Sequence, residues 1–255
     1  MALCNACGSA KRAFPDKCAI HIVRWACAYA TFRICKKKES EQAMTERTEE
    51  HSVEIERKFL IGRIPGHIYS RCQLDHITQG YLAVSDDAEV RLRIRQSGSA
   101  LLPTVERRPQ AAQYTLEIKS GGSAGKALCR RELSVELTAD QFEVLDGLCT
   151  GVVDKARMHL LPEDDSGEKW TIDVYTGDLD GLIVAEVEFL SDKHAAEFDP
   201  PDWFGMEVTD NRNFRTSAFA CDPKKRELVL NYACDVRLTE AREELAANTL
   251  SAMEE

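Results

Sequence analysis

The sequence predicts an α+β chain that is mainly β: an eight-stranded antiparallel closed barrel, in effect a tunnel, with a polar charged lumen and helices packed outside. Three observations lead there. Eight short stretches between Val53 and Leu190 read as strands, and all but Ile77–Ala83 alternate charged with apolar residues, the period-two pattern of strands whose two faces differ. Most of their connections are short, which suits antiparallel neighbours. The charged faces also carry both signs in rows, while the opposite faces are ordinary core material. If every charged face met bulk water, helices would have little reason to pack on the sheet. If the sheet closes, the apolar faces turn outward under helices and the charges line a lumen.

Taken in order, Val53–Leu60 places Glu54, Glu56 and Lys58 on one face and Val53, Ile55, Arg57 and Phe59 on the other. Ile77–Ala83 follows, with Ser85, Asp86 and Asp87 as the turn after it. Glu89–Arg95 is the cleanest alternation, setting Glu89, Arg91, Arg93 and Arg95 against Val90, Leu92 and Ile94. After a loop holding Gly98, Pro103 and Pro109, Tyr114–Ser120 opposes Thr115, Glu117 and Lys119 to Leu116 and Ile118. Gly121 and Gly122 read as the turn into Cys129–Leu137, where Arg130, Glu132, Ser134 and Glu136 face away from Arg131, Leu133 and Val135. T-A-D-Q at Thr138–Gln141 is a capping box, and it opens a helix whose Phe142, Leu145 and Leu148 are expected to cover the sheet. Val152–Leu160 sets Lys155 and Arg157 against Ala156, Met158 and Leu160. Trp170–Thr176 sets Asp173 and Tyr175 against Ile172 and Val174, and Ile183–Leu190 sets Glu186 and Glu188 against Ala185, Val187 and Phe189.

The organisation expected is a basic, Cys-rich extension over residues 1–50, a barrel domain over 51–222 and a helical tail over 223–255. The net charge of −10 argues against a general nucleic-acid binder, but it conceals an asymmetry. Residues 1–38 carry eight Lys/Arg and one Asp, a net +7, which leaves −17 for the rest. Cys4, Cys7, Cys18, Cys27 and Cys35 lie in that extension, and no second CxxC or His pair follows Cys4 and Cys7 at zinc-finger spacing. The apolar run Ala19–Ile34 is broken by His21, Arg24 and Arg33 and is too short for a span of about 20 residues, so no membrane segment is expected. Two readings of the extension stand: an organelle-targeting leader over residues 1–43, or a disordered upstream piece ahead of a natural start at Met44. With no export signal the thiols are expected to be reduced and the protein cytoplasmic. In the tail, Leu238, Ala241, Leu245 and Leu250 read as an amphipathic helix: a lid, a homodimer contact or a solvated tail.

A closed barrel of this pattern would place Lys58, Arg91, Arg93, Lys119, Lys155 and Arg157 in one lumen with Glu54, Glu56, Glu132, Asp173, Glu186 and Glu188. Enclosing so many ions unpaired costs several kcal/mol each, so they must pair with one another or with a highly charged ligand. The basic groups suit a polyanion. The carboxylates suit a hard divalent cation such as Mg2+ or Mn2+, which takes oxygen ligands and bridges phosphates. Together they describe a metal–polyphosphate site.

These residues carry a resemblance. Glu54, Glu56 and Lys58 match the ExExK signature of the CYTH superfamily, the triphosphate tunnel metalloenzymes, and the charged strands follow in the same order. The likeness runs from about Ser52 to Cys221 and is closest to short bacterial-type members through Q-G-Y-L at Gln79, L-R-I-R near Arg93, L-E-I-K-S at Leu116, A-E-V-E-F-L at Ala185 and W-F-G-M-E-V-T-D at Trp203. It implies metal ligation by Glu54, Glu56, Glu186 and Glu188, with Asp173 and Glu132 as further carboxylates. Ser134 stands where short relatives often have a second glutamate. It implies phosphate binding by Lys58, Arg91, Arg93, Lys119, Lys155 and Arg157. Arg212 and Arg215 resemble basic residues of a C-terminal helix that helps plug the tunnel. Tyr81, together with Lys58, occupies a position where a catalytic role is found, although a tyrosine with a pKa near 10 is a poor base.

The activity implied is divalent-metal-dependent hydrolysis of tripolyphosphate or a related small triphosphate by in-line water attack. The alternatives within the fold are a class IV adenylate cyclase and a thiamine triphosphatase, for which Trp203 is the available aromatic surface. The non-enzymatic alternative is a polyphosphate-binding module.

Overall fold

The structure, a computed structural model, describes residues 52–98, 112–124, 127–161 and 167–254. The Cys-rich extension and the loop containing Pro103 and Pro109 lie outside the described residues.

Eight strands, β1 (Ser52–Leu60), β2 (Cys72–Val84), β3 (Ala88–Gly98), β4 (Gln113–Ala124), β5 (Ala127–Leu137), β6 (Gly151–Leu160), β7 (Lys169–Tyr175) and β8 (Ile183–Glu188), close a barrel. The neighbours run β1-β5-β4-β3-β2-β6-β7-β8, and every pairing is antiparallel. Closure is what the charged rows require: it removes both sheet edges and encloses one face of every strand.

Helices α1 (Ala139–Asp146), α2 (Asp192–Glu197), α3 (Thr216–Cys221) and α4 (Pro223–Glu254) lie outside this sheet or at its end. The capping box at Thr138 forms as expected, with the Thr138 side chain accepting from Gln141 N and the Gln141 side chain from Thr138 N. Phe142 is buried against Leu92 and Ile94, whereas Leu148 stands beyond the helix end, 60% exposed. Gly121 and Gly122 do not end a strand. β4 runs on to Ala124, and Gly121 is the position that needs no side chain, at φ +123 with Cys129 O where a Cβ would sit.

The tail also differs from expectation. Pro223 opens α4, where its missing N–H costs nothing, and the stripe that packs is Val229, Ala233 and Val236. Leu238 and Leu245, the residues that marked an apolar face, are 50% and 69% exposed. No helix among the described residues is long and apolar enough to cross a membrane.

One barrel end is sealed. The lumen-facing positions at that end are Leu60, Tyr81, Val153, Tyr175 and Val184, and they pack against Phe214, Phe219, Ala220, Val229 and Ala233 from the segment that runs into α3 and α4. At the opposite end the lumen-facing groups are polar and partly exposed: Arg95, His159, Glu188 and Glu132 have side chains 47%, 34%, 33% and 23% exposed.

Candidate active site

Side-chain alternation delivers the charges to the lumen, and the register decides who meets whom. β1 lies between β5 and β8, so Glu54 stands opposite Arg130, Lys58 opposite Glu186 and Glu56 opposite Glu188. Lys119 Nζ reaches Glu54 at 2.5 Å. Arg130 Nη2 reaches Glu56 at 2.5 Å, and Lys58 Nζ lies 3.3 Å from Glu56 while donating to Glu186. Glu186 takes a second bond from Arg157 Nη2 at 2.7 Å.

On the β6–β7 side Asp173, fully buried, serves two bases: Lys155 at 2.5 Å and Arg157 through both oxygens, at 2.6 and 2.7 Å. On the β3–β4 wall Glu117 holds Arg91 at 2.6 Å and Arg93 at 3.0 Å. Glu132 lies 3.4 Å from Lys119 and 3.6 Å from Arg91.

The chamber these groups enclose is lined by Glu54, Glu56, Glu89 and Glu186 on the acidic side. Eight basic residues face them: Lys58, Arg91, Arg93, Lys119, Arg130, Lys155, Arg157 and Arg215. The ion pairs leave room for about one water, some 20 Å³, because the bases fold onto carboxylates in the lining and onto Glu117 and Asp173 behind it. Two guanidinium N–H groups escape this pairing. Arg93 Nε and Arg130 Nε are buried without a partner, which is costly unless an acceptor enters.

The electrostatics follow from burial opposed by partners. Burial raises the Glu54 carboxyl, but Lys119 and Arg130 outweigh it and hold it at about 2. Glu117 is held at about 2 in the same way by Arg91 and Arg93. Burial, with Arg91 alongside, brings Arg93 down to about 10. Lys155 falls to about 7, because burial and Arg157 together exceed what the shared Asp173 returns. Glu188 moves the other way: burial and the Glu54 and Glu56 carboxylates raise it, against Lys169 at the rim.

The expected site residues therefore separate. Glu54, Glu56, Lys58, Arg91, Arg93, Lys119, Lys155, Arg157, Glu186 and Arg215 line one chamber. Asp173 lies behind it holding Lys155 and Arg157, Glu188 and Glu132 stand toward the open end, and Arg212 is outside, 69% exposed beside Asp86. Tyr81 is fully buried in the sealing cluster, where its hydroxyl accepts from Gln79 Nε2. Burial and Glu89 push that phenol up, away from any basic form. Trp203 packs outside the barrel with Phe204, ring centroids 4.6 Å apart.

Two charged residues that line the chamber were missed as candidates, Arg130 and Glu89. The alternation had already placed both on charged faces, and Arg130 was obscured by the adjacent Arg131, which faces out.

No family model matches this chain. It is 35% identical over 170 residues to an inorganic triphosphatase of Nitrosomonas europaea, covering 66% of this chain and 96% of the relative. It is 31% identical over 175 residues to an inorganic triphosphatase of Acetivibrio thermocellus, covering 68% of this chain and 96% of the relative. Among solved structures, one crystal structure of an inorganic triphosphatase aligns at 30% identity over 71% of this chain and 98% of its own, with a TM-score of 0.44. Identity above 30% across nearly the whole of both relatives shows that this chain belongs to the inorganic triphosphatase family.

Proposed function

We propose that this protein is a triphosphate-hydrolysing enzyme whose substrate is inorganic triphosphate, bound in the barrel lumen and cut by in-line attack of water. The observation that carries the reading is the enclosed chamber with eight basic groups against four carboxylates, in which two buried guanidinium N–H groups lack an acceptor. A small, densely charged anion supplies those acceptors. Arginine offers a two-pronged fork and lysine a point charge, so the mixture suits oxygens that face several directions.

Lys58, Arg91, Arg93, Lys119, Arg130, Lys155, Arg157 and Arg215 bind and orient the phosphates and neutralise charge that develops on them. Tyr81 is a positioning group: it braces Gln79, whose Oε1 accepts from Arg93 Nη2 at 3.4 Å.

A divalent cation, Mg2+ or Mn2+, fits the acidic side of the chamber. The donors Glu54, Glu56, Glu186 and Glu188 are all oxygens on two adjacent strands, and Glu188, raised by burial and by the Glu54 and Glu56 carboxylates, stands opposite Glu56. Among the described residues no three His, Cys, Asp or Glu stand ready-made as a metal group, because lysines and arginines occupy these carboxylates. Glu54, Glu56, Glu186 and Glu188 would hold such a cation, which would supply positive charge to offset that developing on the transferred phosphoryl group. This assignment agrees with the CYTH resemblance of the ExExK strand, and a cytoplasmic location agrees with a chain of this kind.

The test is a phosphate and pyrophosphate release assay with tripolyphosphate, ATP and thiamine triphosphate side by side, with cyclic AMP monitored, in Mg2+, Mn2+ and chelator. Tripolyphosphate is expected to be cleaved fastest and only with metal. Cyclic AMP as the main product would overturn the reading.

A further inference from the structure

β1 has two successive partners on its β5 side. From Ser52 to Glu56 it pairs with β5, and that ladder stops at Glu56 opposite Leu128. From Lys58 to Leu60 the segment 205–209 takes over. Val208 N donates to Lys58 O at 2.8 Å, Leu60 N to Met206 O at 2.8 Å and Gly205 N to Leu60 O at 2.9 Å, while Phe59 and Glu207 form an antiparallel bridge. One rung is made by a side chain: Lys58 N donates to Thr209 Oγ1 at 3.0 Å.

Thr209 Oγ1 in turn donates to Glu207 Oε1 at 2.7 Å. Glu207 receives the Arg57 fork on both oxygens, Nε at 2.8 Å and Nη2 at 2.7 Å. Arg57 Nη1 reaches two more acceptors, the carbonyls of Ala195 at 3.0 Å and Phe198 at 2.9 Å. Arg57 thus points outward from the strand that points Lys58 inward. The Arg57–Glu207 pair alone would count for little, since the Glu207 side chain is 39% exposed. What distinguishes it is Thr209, which joins it to the buried backbone of Lys58.

Past Thr209 the chain turns tightly, Asn211 N donating to Val208 O and Phe214 N to Asn211 O, and then brings Arg215 and Thr216 into the chamber lining. The network outside the barrel therefore stands between two basic groups inside it. We propose that Arg57, Glu207 and Thr209 form a positioning clamp on the outer face of the barrel that sets Lys58 and Arg215 against the triphosphate. This rests on the function proposed above. A two-pronged ion pair resists rotation, so a loosened clamp lets the segment 205–216 shift and leaves the lumen with less pre-organised positive charge.

The test measures tripolyphosphate KM and kcat with Mg2+ in the full-length chain for Thr209→Val, Thr209→Ser and Glu207→Gln, each alone and combined with Arg215→Ala, with thermal midpoints alongside. Thr209→Val and Glu207→Gln are expected to raise KM about five- to tenfold, the size of one internal hydrogen bond, with kcat changed less. Thr209→Ser keeps the oxygen and should stay within about twofold of wild type. In the Arg215→Ala background the additional rise should shrink to about twofold or less, because the clamp then has one fewer group to place. If Thr209→Val fails to fold, Glu207→Gln, at an exposed carboxylate, carries the test. A lowered midpoint with wild-type KM, or the same fold-loss with and without Arg215, overturns the clamp. A wild-type chain that neither binds nor cleaves tripolyphosphate overturns the functional reading, and the clamp's role with it.

Discussion

Lys155 shows how one residue can report on the whole lumen. Its ammonium shares Asp173 with Arg157, and burial brings it to about 7 from 10.5. Between those values the folded protein binds fewer protons than the unfolded chain, so this group makes the stability of the ligand-free protein rise with pH through that window. A bound polyanion restores the charge. Tripolyphosphate binding near pH 8.5, followed by calorimetry in buffers of different ionisation enthalpy, should therefore take up close to one more proton in wild type than in Lys155→Met, about one site's worth. Equal uptake would refute the assignment. The acidic and basic rows should also fail differently. Glu56→Gln and Glu186→Gln remove charge from the metal side, and turnover should fall with partial rescue by added metal. Arg93→Ala removes a proposed phosphate contact, and affinity should fall by about 1.5–3 kcal/mol. Separate titrations of metal and substrate distinguish the two, and wild-type kinetics in both glutamate variants would contradict the division of roles. Most of these side chains were legible from period-two alternation alone, because a strand face is a local property. That Arg212 lies outside while Arg215 lines the chamber was not legible, since the turn Arg212–Phe214 decides it and has no period to read.

At the level of elements, the seat of α3 on β6 is the tightest junction. A Cβ on Gly151 would lie 2.5 Å from Ala220 O and 2.9 Å from Cys221 Cα, both backbone atoms that cannot rotate aside. Gly151→Ala should therefore displace α3, costing about 1–3 kcal/mol by thermal or urea unfolding, and it should raise KM as well, because Arg215 and Thr216 lie at the start of that helix. Thr138→Ala is the contrast. It breaks the capping box of α1 on the outer wall and should cost about 1 kcal/mol while leaving kcat/KM unchanged. An unaltered KM in Gly151→Ala would detach α3 from the site. The sequence made α1 plain through its capping box, but it concealed the start of α4. The buried stripe there is Val229, Ala233 and Val236, of which alanine is a weak apolar signal, whereas Leu238 and Leu245 are conspicuous and exposed. Gly121 and Gly122 misled in the opposite sense: glycine inside a strand marks a close backbone approach as readily as it marks an end.

For the molecule as a whole, every group assigned to the chamber lies after residue 53. A chain lacking residues 1–43 should therefore keep full turnover and KM on tripolyphosphate, and a folded but inactive truncation would give the extension a role in the site. Barrel closure was legible because charged rows on most of the strands, opposite apolar faces that helices can cover, suit a sheet that encloses its charged face. The seal was not, because it depends on α3 and the first half of α4 folding back over Leu60, Tyr81, Val153, Tyr175 and Val184. That seal has a kinetic corollary. Among the described residues the chamber has a single doorway, so arrivals and departures share it in turn. The fragment lodged deeper is obliged to leave last. The enzyme that has released only the outer fragment is still occupied, and the one that has released both is free to accept substrate. Of the two products, orthophosphate and pyrophosphate, whichever leaves last should compete directly with tripolyphosphate, while the other should lower turnover without competing. Product-inhibition patterns at varied substrate would then reveal whether the terminal phosphoryl that is cut off sits at the inner or the outer end of the chamber.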